Sequence, residues 1–402
     1  MSIAIAILGL GLLILVHEAG HFFASLAVGL RPRRFYVGFP PPLVKTTKNG
    51  IEYGIGTIPL GGFVSIPGMH RPVPHDAERR FQRAVDEAPV LTGPFERVKR
   101  ALEREELGPA LASLDELEQA LRAQSLSPAA LAAATKGLTE IRDALGPDAY
   151  WKAPTWKRLV AIAAGPAANV ALAIVLFSFL FMTGSGKATS TVADVDPTLP
   201  AAAVGIQAGD RIVAIAGERV SPSEIPDRIS GSEGAPITVT VNRRGEEVLL
   251  GPVRAVPIDD TYRLGFALEG TGLGPIDAVG RAFEVTGIVT KEIGLALGRL
   301  VTGEGRENVA SPIGITRASS DAVERGAANY LWVLGLISLS LALLNLLPLL
   351  PLDGGHILFS LIEGARGRFL KREVYERVSV VGLALVLLLF FVGLSNDIGR
   401  LS

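Results

Sequence analysis

Four long apolar runs constrain this chain more than anything else in it. They lie at about 3–28, 159–182, 330–350 and 378–394, close to the ~20 residues a helix needs to cross a bilayer. In hydrocarbon every backbone polar group needs a partner within the chain, so such runs are expected as spanning helices. Basic residues flank them unevenly: Arg31, Arg33 and Arg34 follow the first, Lys152, Lys157 and Arg158 precede the second, and RGRFLKREVYER precedes the fourth. The positive-inside rule then gives one consistent topology, with 31–158 and 361–377 cytoplasmic, both termini extracytoplasmic and about 185–329 outside. The first run has no basic n-region and is expected to remain as an uncleaved span.

Composition agrees with a bilayer, at 49% apolar residues and a mean hydropathy of +0.38. Lysine and arginine number 39 against 40 acidic residues, so no global field favours nucleic acid, and no nucleic-acid partner is expected. Cysteine is absent, which excludes disulfides, thiolate metal sites and thiol nucleophiles. Any metal has to sit on nitrogen and oxygen.

Segment 1–30 holds the first span, and 31–75 is expected as a β region laid against the membrane on the cytoplasmic side. Within it, residues 43–67 alternate around Asn49-Gly50, a hairpin signal. Residues 76–150 change to helical spacing with opposite charges three or four apart, reading as a cytoplasmic helical insertion. There Ser127-Pro128 resembles a helix start and Gly146-Pro147 a stop, and the charged faces suit a cytoplasmic partner. The second span occupies 157–183. Residues 185–270 alternate in short runs, and AAAVGIQAGDRIVAIAGERV joins a short helix, a Gly209-Asp210 turn and a strand, as a compact mixed domain would. A partly helical extracytoplasmic linker at 271–329, a third span with the turn after it at 330–360, and a fourth span at 378–395 complete the chain. The expected fold class is a polytopic α-helical membrane protein with four transmembrane helices, a membrane-associated β-hairpin and an extracytoplasmic α+β domain.

The first run is broken by charge. It reads LGLLILVHEAGHFFASL, so His17, Glu18 and His21 form H-E-x-x-H in a segment that should be helical. Four residues turn a helix by about 400°, which puts His17 and His21 on one face, able to share an ion. Glu18 lies about 100° round, within reach of a water at that ion as general base. Three ionisable groups at bilayer depth, each costing at least about 2.5 kcal/mol when charged, need a shared function to be tolerated there.

Two histidines leave a catalytic zinc site one protein ligand short. Asp353, in NLLPLLPLDGGH, is the only carboxylate between Glu324 and Glu363, and Pro348, Pro351, Gly354 and Gly355 break the helix beside it. His356 is the rival third ligand, while His70 and His75 sit in a proline-rich polar loop. An oxygen ligand would leave zinc more Lewis-acidic than a sulfur, with its water lowered toward a pKa of roughly 7. One zinc ion per chain is expected.

Three further features have two readings each. Asn345 either bonds a neighbouring helix or offers its amide to a substrate carbonyl or oxyanion. Asn169, in AAGPAANVAL, poses the same choice among small residues suited to close helix packing. The glycines of the hairpin region, among them Gly61 and Gly62 beside Ile58, are either turns or a strand edge able to pair with an unwound substrate.

Together, HEAGH in the first span, GPAAN in the second and NLLPLLPLDGG before the last resemble the site-2 protease family of intramembrane zinc metalloproteases, in its bacterial, PDZ-containing, regulator of sigma-E protease type. The resemblance covers nearly the whole chain outside 76–146. It implies zinc ligands at His17, His21 and Asp353, a catalytic base at Glu18, and substrate contact at Asn345. Ile58 to Gly68 would match the membrane-associated β-hairpin beside the active site, and 190–268 the PDZ domain. Substrates would be single-pass membrane proteins, such as anti-sigma factors first cut by an upstream site-1-type protease, or remnant signal peptides. The location would be the bacterial plasma membrane. The chain departs from the pattern at Gly38-Phe39-Pro40, where the family commonly reads GFG, and at Ala216-Gly217, where it commonly reads Asn-Gly. Intramembrane ionisable residues also occur in ion transporters, and a PDZ-like domain on a membrane stem would suit a scaffold. A transporter would have no use for Glu18, and a scaffold would tolerate loss of all three ligands.

Overall fold

The computed structural model describes residues 1–258 and 261–400; the side chains of 58–60, 185, 301 and 308 lie outside that description. Along the chain, α1 (Ser2–Ala27) leads into strands β1 (Arg34–Lys48) and β2 (Ile51–Ser65), then α2 (Pro74–Glu87), α3 (Thr92–Glu103), α4 (Leu107–Arg122), α5 (Pro128–Leu145) and α6 (Thr155–Leu180). Next come β3 (Lys187–Val195), α7 (Pro200–Ala203), β4 (Arg211–Ile215), β5 (Glu218–Arg219), α8 (Ile225–Ser230), β6 (Pro236–Arg243), β7 (Glu246–Arg254), β8 (Val256–Ile258), β9 (Thr261–Arg263) and β10 (Phe266–Thr271). The chain closes with α9 (Pro275–Thr302), α10 (Pro312–Glu324), α11 (Ala327–Asn345), α12 (Asp353–Arg366) and α13 (Arg372–Gly399).

Among the described residues four helices are long and apolar enough to span a membrane: α1, α6 with its continuation to Gly184, α11 and α13. Only 11–33% of each apolar window is buried by the protein itself. The remainder is a surface that lipid has to cover. Helix α11 ends at Asn345, short of the expected 350, because Pro348 and Pro351 cannot continue it. Residues 346–352 instead fold back against the start of α12. A Cβ on Gly354 would overlap the carbonyl oxygens of Leu346 and Leu347, and one on Gly355 would lie 2.5 Å from the Leu350 nitrogen. Residues 271–329, expected as a partly helical linker, are mostly helix, in α9 and α10. Helix α10 is capped twice: Ser311 Oγ accepts from Ile313 N at 3.1 Å, and Asp397 of α13 accepts from the backbone nitrogens of Ser311 and Gly314 at 2.9 and 3.1 Å.

The chain divides into two compact units, of which the first comprises 1–173, 289–326 and 336–402. In it, helices α2 to α5 close around Phe81, Leu91, Phe95, Val98, Leu114, Leu117 and Ile141. Ser127 caps α5 through Ala130 N at 3.2 Å, with Pro128 in the first turn. Arg33 ties this bundle to the β region through Asp143 and Asp148, each at 2.8 Å.

The hairpin turns at Asn49 and Gly50, whose φ values of 51° and 76° suit the tight turn that Asn-Gly favours. Its strands are bent and pair twice over. Residues 34–37 face 52–55 on one side and 62–65 on the other, while 44–48 pair with 51–55. Four short ribbons result, and 62–65 is an outermost one. Pro40, Pro41 and Pro42 fall at the bend of β1, where the pairing with β2 shifts register between Phe39 and Val44.

The second unit comprises 174–288 and 327–335. Its sheet runs β10-β3-β4-β6-β7, with β5 paired to β4. Val192, Ile206, Ile212, Ile225, Val239 and Val241 form its core beneath α7 and α8. Asp210, buried after the Gly209 turn, takes Arg243 in a two-pronged pair of 2.7 Å bonds and accepts from Gln207 N at 2.9 Å. The guanidinium beside it holds the Asp210 carboxyl below the usual aspartate range.

Candidate metal centre

The helical periodicity of α1 brings His17 and His21 to one face, and both rings are buried. Asp353 reaches them from the first residue of α12, where the fold-back of 346–352 delivers its carboxylate. His17 Nε2 lies 3.1 Å from Asp353 Oδ2, His21 Nε2 lies 3.3 Å from the same oxygen, and the two Nε2 atoms are 3.2 Å apart. Zinc bonds of about 2.0–2.1 Å in a tetrahedron would space their ligand atoms by about 3.3–3.4 Å, so this triangle is the size zinc requires. The donor set, two imidazoles and a carboxylate, is also one that zinc accepts with its fourth position left open.

The far nitrogens of both rings have neighbours. His21 Nδ1 lies 2.9 Å from the Ala161 carbonyl oxygen, which can only accept, so the proton sits on Nδ1 and Nε2 keeps its lone pair for a metal. His17 Nδ1 lies 3.3 Å from the amide of the fully buried Asn169, whose Oδ1 has no partner. Turning that amide over presents Oδ1 to a His17 Nδ1–H and gives the orphan oxygen its donor, leaving Nε2 of His17 free as well. Asn169 is itself held, because its backbone carbonyl accepts from Ser338 Oγ at 2.8 Å.

The helices approach closely enough for this only because two glycines permit it. A Cβ on Gly165 would overlap the His21 ring, and one on Gly20 would overlap the Ala164 carbonyl. Small residues in GPAAN suggest close packing, but nothing in the sequence assigns Gly165 to His21 or the Ala161 carbonyl to its Nδ1.

A cavity of about 410 Å³ opens on the triangle, bounded by Glu18, Phe63, Val64, Asn345 and His356. Glu18 is pressed by the hairpin: a Cβ on Gly62 would come within 2.5 Å of its Cγ. Phe63, Val64 and Ser65 of the outer ribbon line the same cavity as the donor triangle. Gly61 has φ of 108°, in the region glycine favours, and faces the Phe39 ring. Ile58 lies in β2 by its backbone, and its side chain is outside the described residues. Asn345 borders the cavity at the end of α11 and donates to the Leu341 carbonyl at 3.0 Å.

The remaining histidines do not join the triangle. His356 borders the cavity but stacks on His70, ring centroids 6.2 Å apart, and His70 in turn meets Tyr375 at 4.7 Å. Burial pushes the His70 imidazole down to about 4, with the Arg372 charge adding to the effect. His75 is at the surface beside Glu78. Among the described residues only His17, His21 and Asp353 form a group that could hold a metal ion.

Comparison with known proteins agrees in kind. A family model described as peptidase family M50 matches residues 5–389. A protein of Agrobacterium fabrum assigned as a zinc metalloprotease is 33% identical over 98% of this chain and 95% of its own. The zinc metalloprotease RasP of Geobacillus kaustophilus is 29% identical over 99% of this chain and 98% of its own, and the RasP of Oceanobacillus iheyensis 29% identical over 98% of each.

Proposed function

This chain belongs to peptidase family M50, the site-2 protease family, and we propose that it cuts transmembrane segments of single-pass membrane proteins in regulated intramembrane proteolysis. It is a zinc metalloprotease, and a membrane protein. The observation that carries the finer reading is the donor triangle of His17, His21 and Asp353 partway along a 26-residue apolar helix. Substrates of this reading are anti-sigma factors already cut by a site-1-type protease, or signal-peptide remnants.

His17, His21 and Asp353 would hold the ion. When bound, zinc supplies a Lewis acid that polarises the scissile carbonyl and acidifies a water. Glu18 takes the proton of the attacking water on its carboxylate and delivers it to the leaving amine nitrogen. The amide of Asn345, which borders the cavity, would steady the scissile carbonyl. A substrate helix has to unwind before it can be cut. The outer ribbon at Gly62, with Gly61 and Ile58 leading into it, offers backbone pairing that offsets part of the hydrogen bonding lost.

The family points to a bacterial plasma membrane location, and the flanking charges support an orientation with both termini extracytoplasmic, the α2 to α5 bundle cytoplasmic and the sheet of 187–271 outside. That sheet is read as a PDZ-like filter on substrate size or tail, and the bundle as a surface for a cytoplasmic partner. The test is cleavage of a single-span substrate reconstituted with enzyme in vesicles. Glu18→Gln should retain one zinc per chain and lose at least about 100-fold in rate. Cleavage at the wild-type rate by this variant would sink the assignment, and so would a wild type that cuts only soluble peptides.

A further inference from the structure

A second cavity, of about 580 Å³, lies where two spanning helices begin and has no part in the chemistry above. Arg158 in the first turn of α6 and Arg372 in the first turn of α13 both border it, which sets it at the depth where apolar helix meets lipid headgroups. Trp151 and Phe369, ring centroids 5.3 Å apart, form an aromatic wall of the kind found at that boundary.

The lining is cationic. Five lysine and arginine side chains border the cavity against three carboxylates; Arg158 and Arg71 pair with two of these and Arg372 pairs with Asp76, which leaves Arg368 and Lys371 beside Glu373. Glu363 takes Arg158 Nη1 at 2.6 Å, Leu370 N at 2.9 Å and the Tyr375 hydroxyl at 3.1 Å; Glu105 pairs with Arg71 at 2.8 Å. Arg368 and Lys371, in the turn between α12 and α13, have no ion pair among the described residues. Arg158 is 4% exposed, and its Nε–H is buried with no acceptor. A buried guanidinium N–H left unmatched is destabilising, so a ligand that accepts from it is favoured. Helix α13 adds the positive end of its dipole, since its first residues border the same space without a side-chain cap.

We propose that this cavity binds a phosphate group, specifically the phosphodiester headgroup of an anionic membrane lipid, through Arg368, Lys371 and Arg158. The depth of the site and its aromatic wall favour a lipid over soluble phosphate, while the cationic lining and the helix end select for the phosphate itself. The site adjoins the catalytic cavity. Met69 borders both, and His70, on this cavity's wall, stacks on His356 at the wall of the other.

The test is native mass spectrometry of the purified full chain in detergent with added phosphatidylglycerol, phosphatidylcholine or inorganic phosphate. Wild type should retain one phosphatidylglycerol per chain at least tenfold in preference to phosphatidylcholine. Arg368→Gln with Lys371→Gln should weaken that retention roughly tenfold or more, while Arg122→Gln with Lys136→Gln, exposed on the α2 to α5 bundle, leaves it unchanged. Zinc content reports that each variant is folded. Should millimolar inorganic phosphate be held instead, and lost in the first double variant, the phosphate chemistry stands and its source is soluble. Equal retention of the two lipids by wild type with no phosphate bound, or equal retention by wild type and a folded first variant, overturns the proposal.

Discussion

Nε2 of His17 and Oδ2 of Asp353 stand 3.1 Å apart although 336 positions separate the two residues in sequence. A helix supplies the first, and a fold-back that no helix could make supplies the second. If both are ligands, His21→Ala and Asp353→Ala should each reduce bound zinc from one per chain to a small fraction, as read by metal analysis of purified protein. Retention of full zinc by Asp353→Ala would return the third position to His356.

Asn169 is expected to act on zinc through His17. Asn169→Ala removes the partner of Nδ1, and loss of such a partner typically weakens metal binding by about 10–100-fold. Competition with a chelator measures this. Were Asn169 a substrate contact instead, zinc affinity would hold and KM would rise.

Gly62 lies against Glu18. Gly62→Val should displace the carboxylate and cut turnover by at least about tenfold while zinc content stays at one per chain, since no ligand touches that position. Loss of zinc in this variant would show that the hairpin supports the ligands as well.

Ala216 adopts φ of 52° in the turn between β4 and β5, a conformation that costs an alanine about 1 kcal/mol. Ala216→Asn should stabilise this unit by about 0.5–1 kcal/mol, seen as slower hydrogen exchange of β4 amides in the whole chain.

Asp210 makes the same unit acid-sensitive. Its carboxyl is lowered by Arg243, so the stability it contributes is complete above the ordinary aspartate pKa of about 3.9 and is lost as pH falls through the lower folded value. Hydrogen-exchange protection in β4 and β6, corrected for the intrinsic rate, should therefore fall below about pH 4. Asp210→Asn should cost about 2 kcal/mol at neutral pH and remove that acid step.

The parts of this molecule legible in sequence are those set by local rules. Helical spacing puts His17 and His21 together, Asn49-Gly50 names its turn, and Ser127-Pro128 starts α5. The isolation of Asp353 in an apolar stretch marks it as exceptional. What sequence left open depends on packing between distant segments. Gly165 reads as generic small-residue packing in the sequence although it lies against the His21 ring, and nothing in the sequence puts the Asn169 amide beside His17. The bend that lets residues 34–37 pair on both sides has no periodic signature, and the 580 Å³ cavity is assembled from separate stretches, none unusual alone.

The order of the chain also sets a clock. At synthesis rates of about 5–20 residues per second, the 336 positions from His17 to Asp353 take on the order of half a minute to translate. During that interval the growing chain holds His17, Glu18 and His21 but not yet Asp353. The donor triangle can therefore close only long after the helix that carries two of its three atoms has been made.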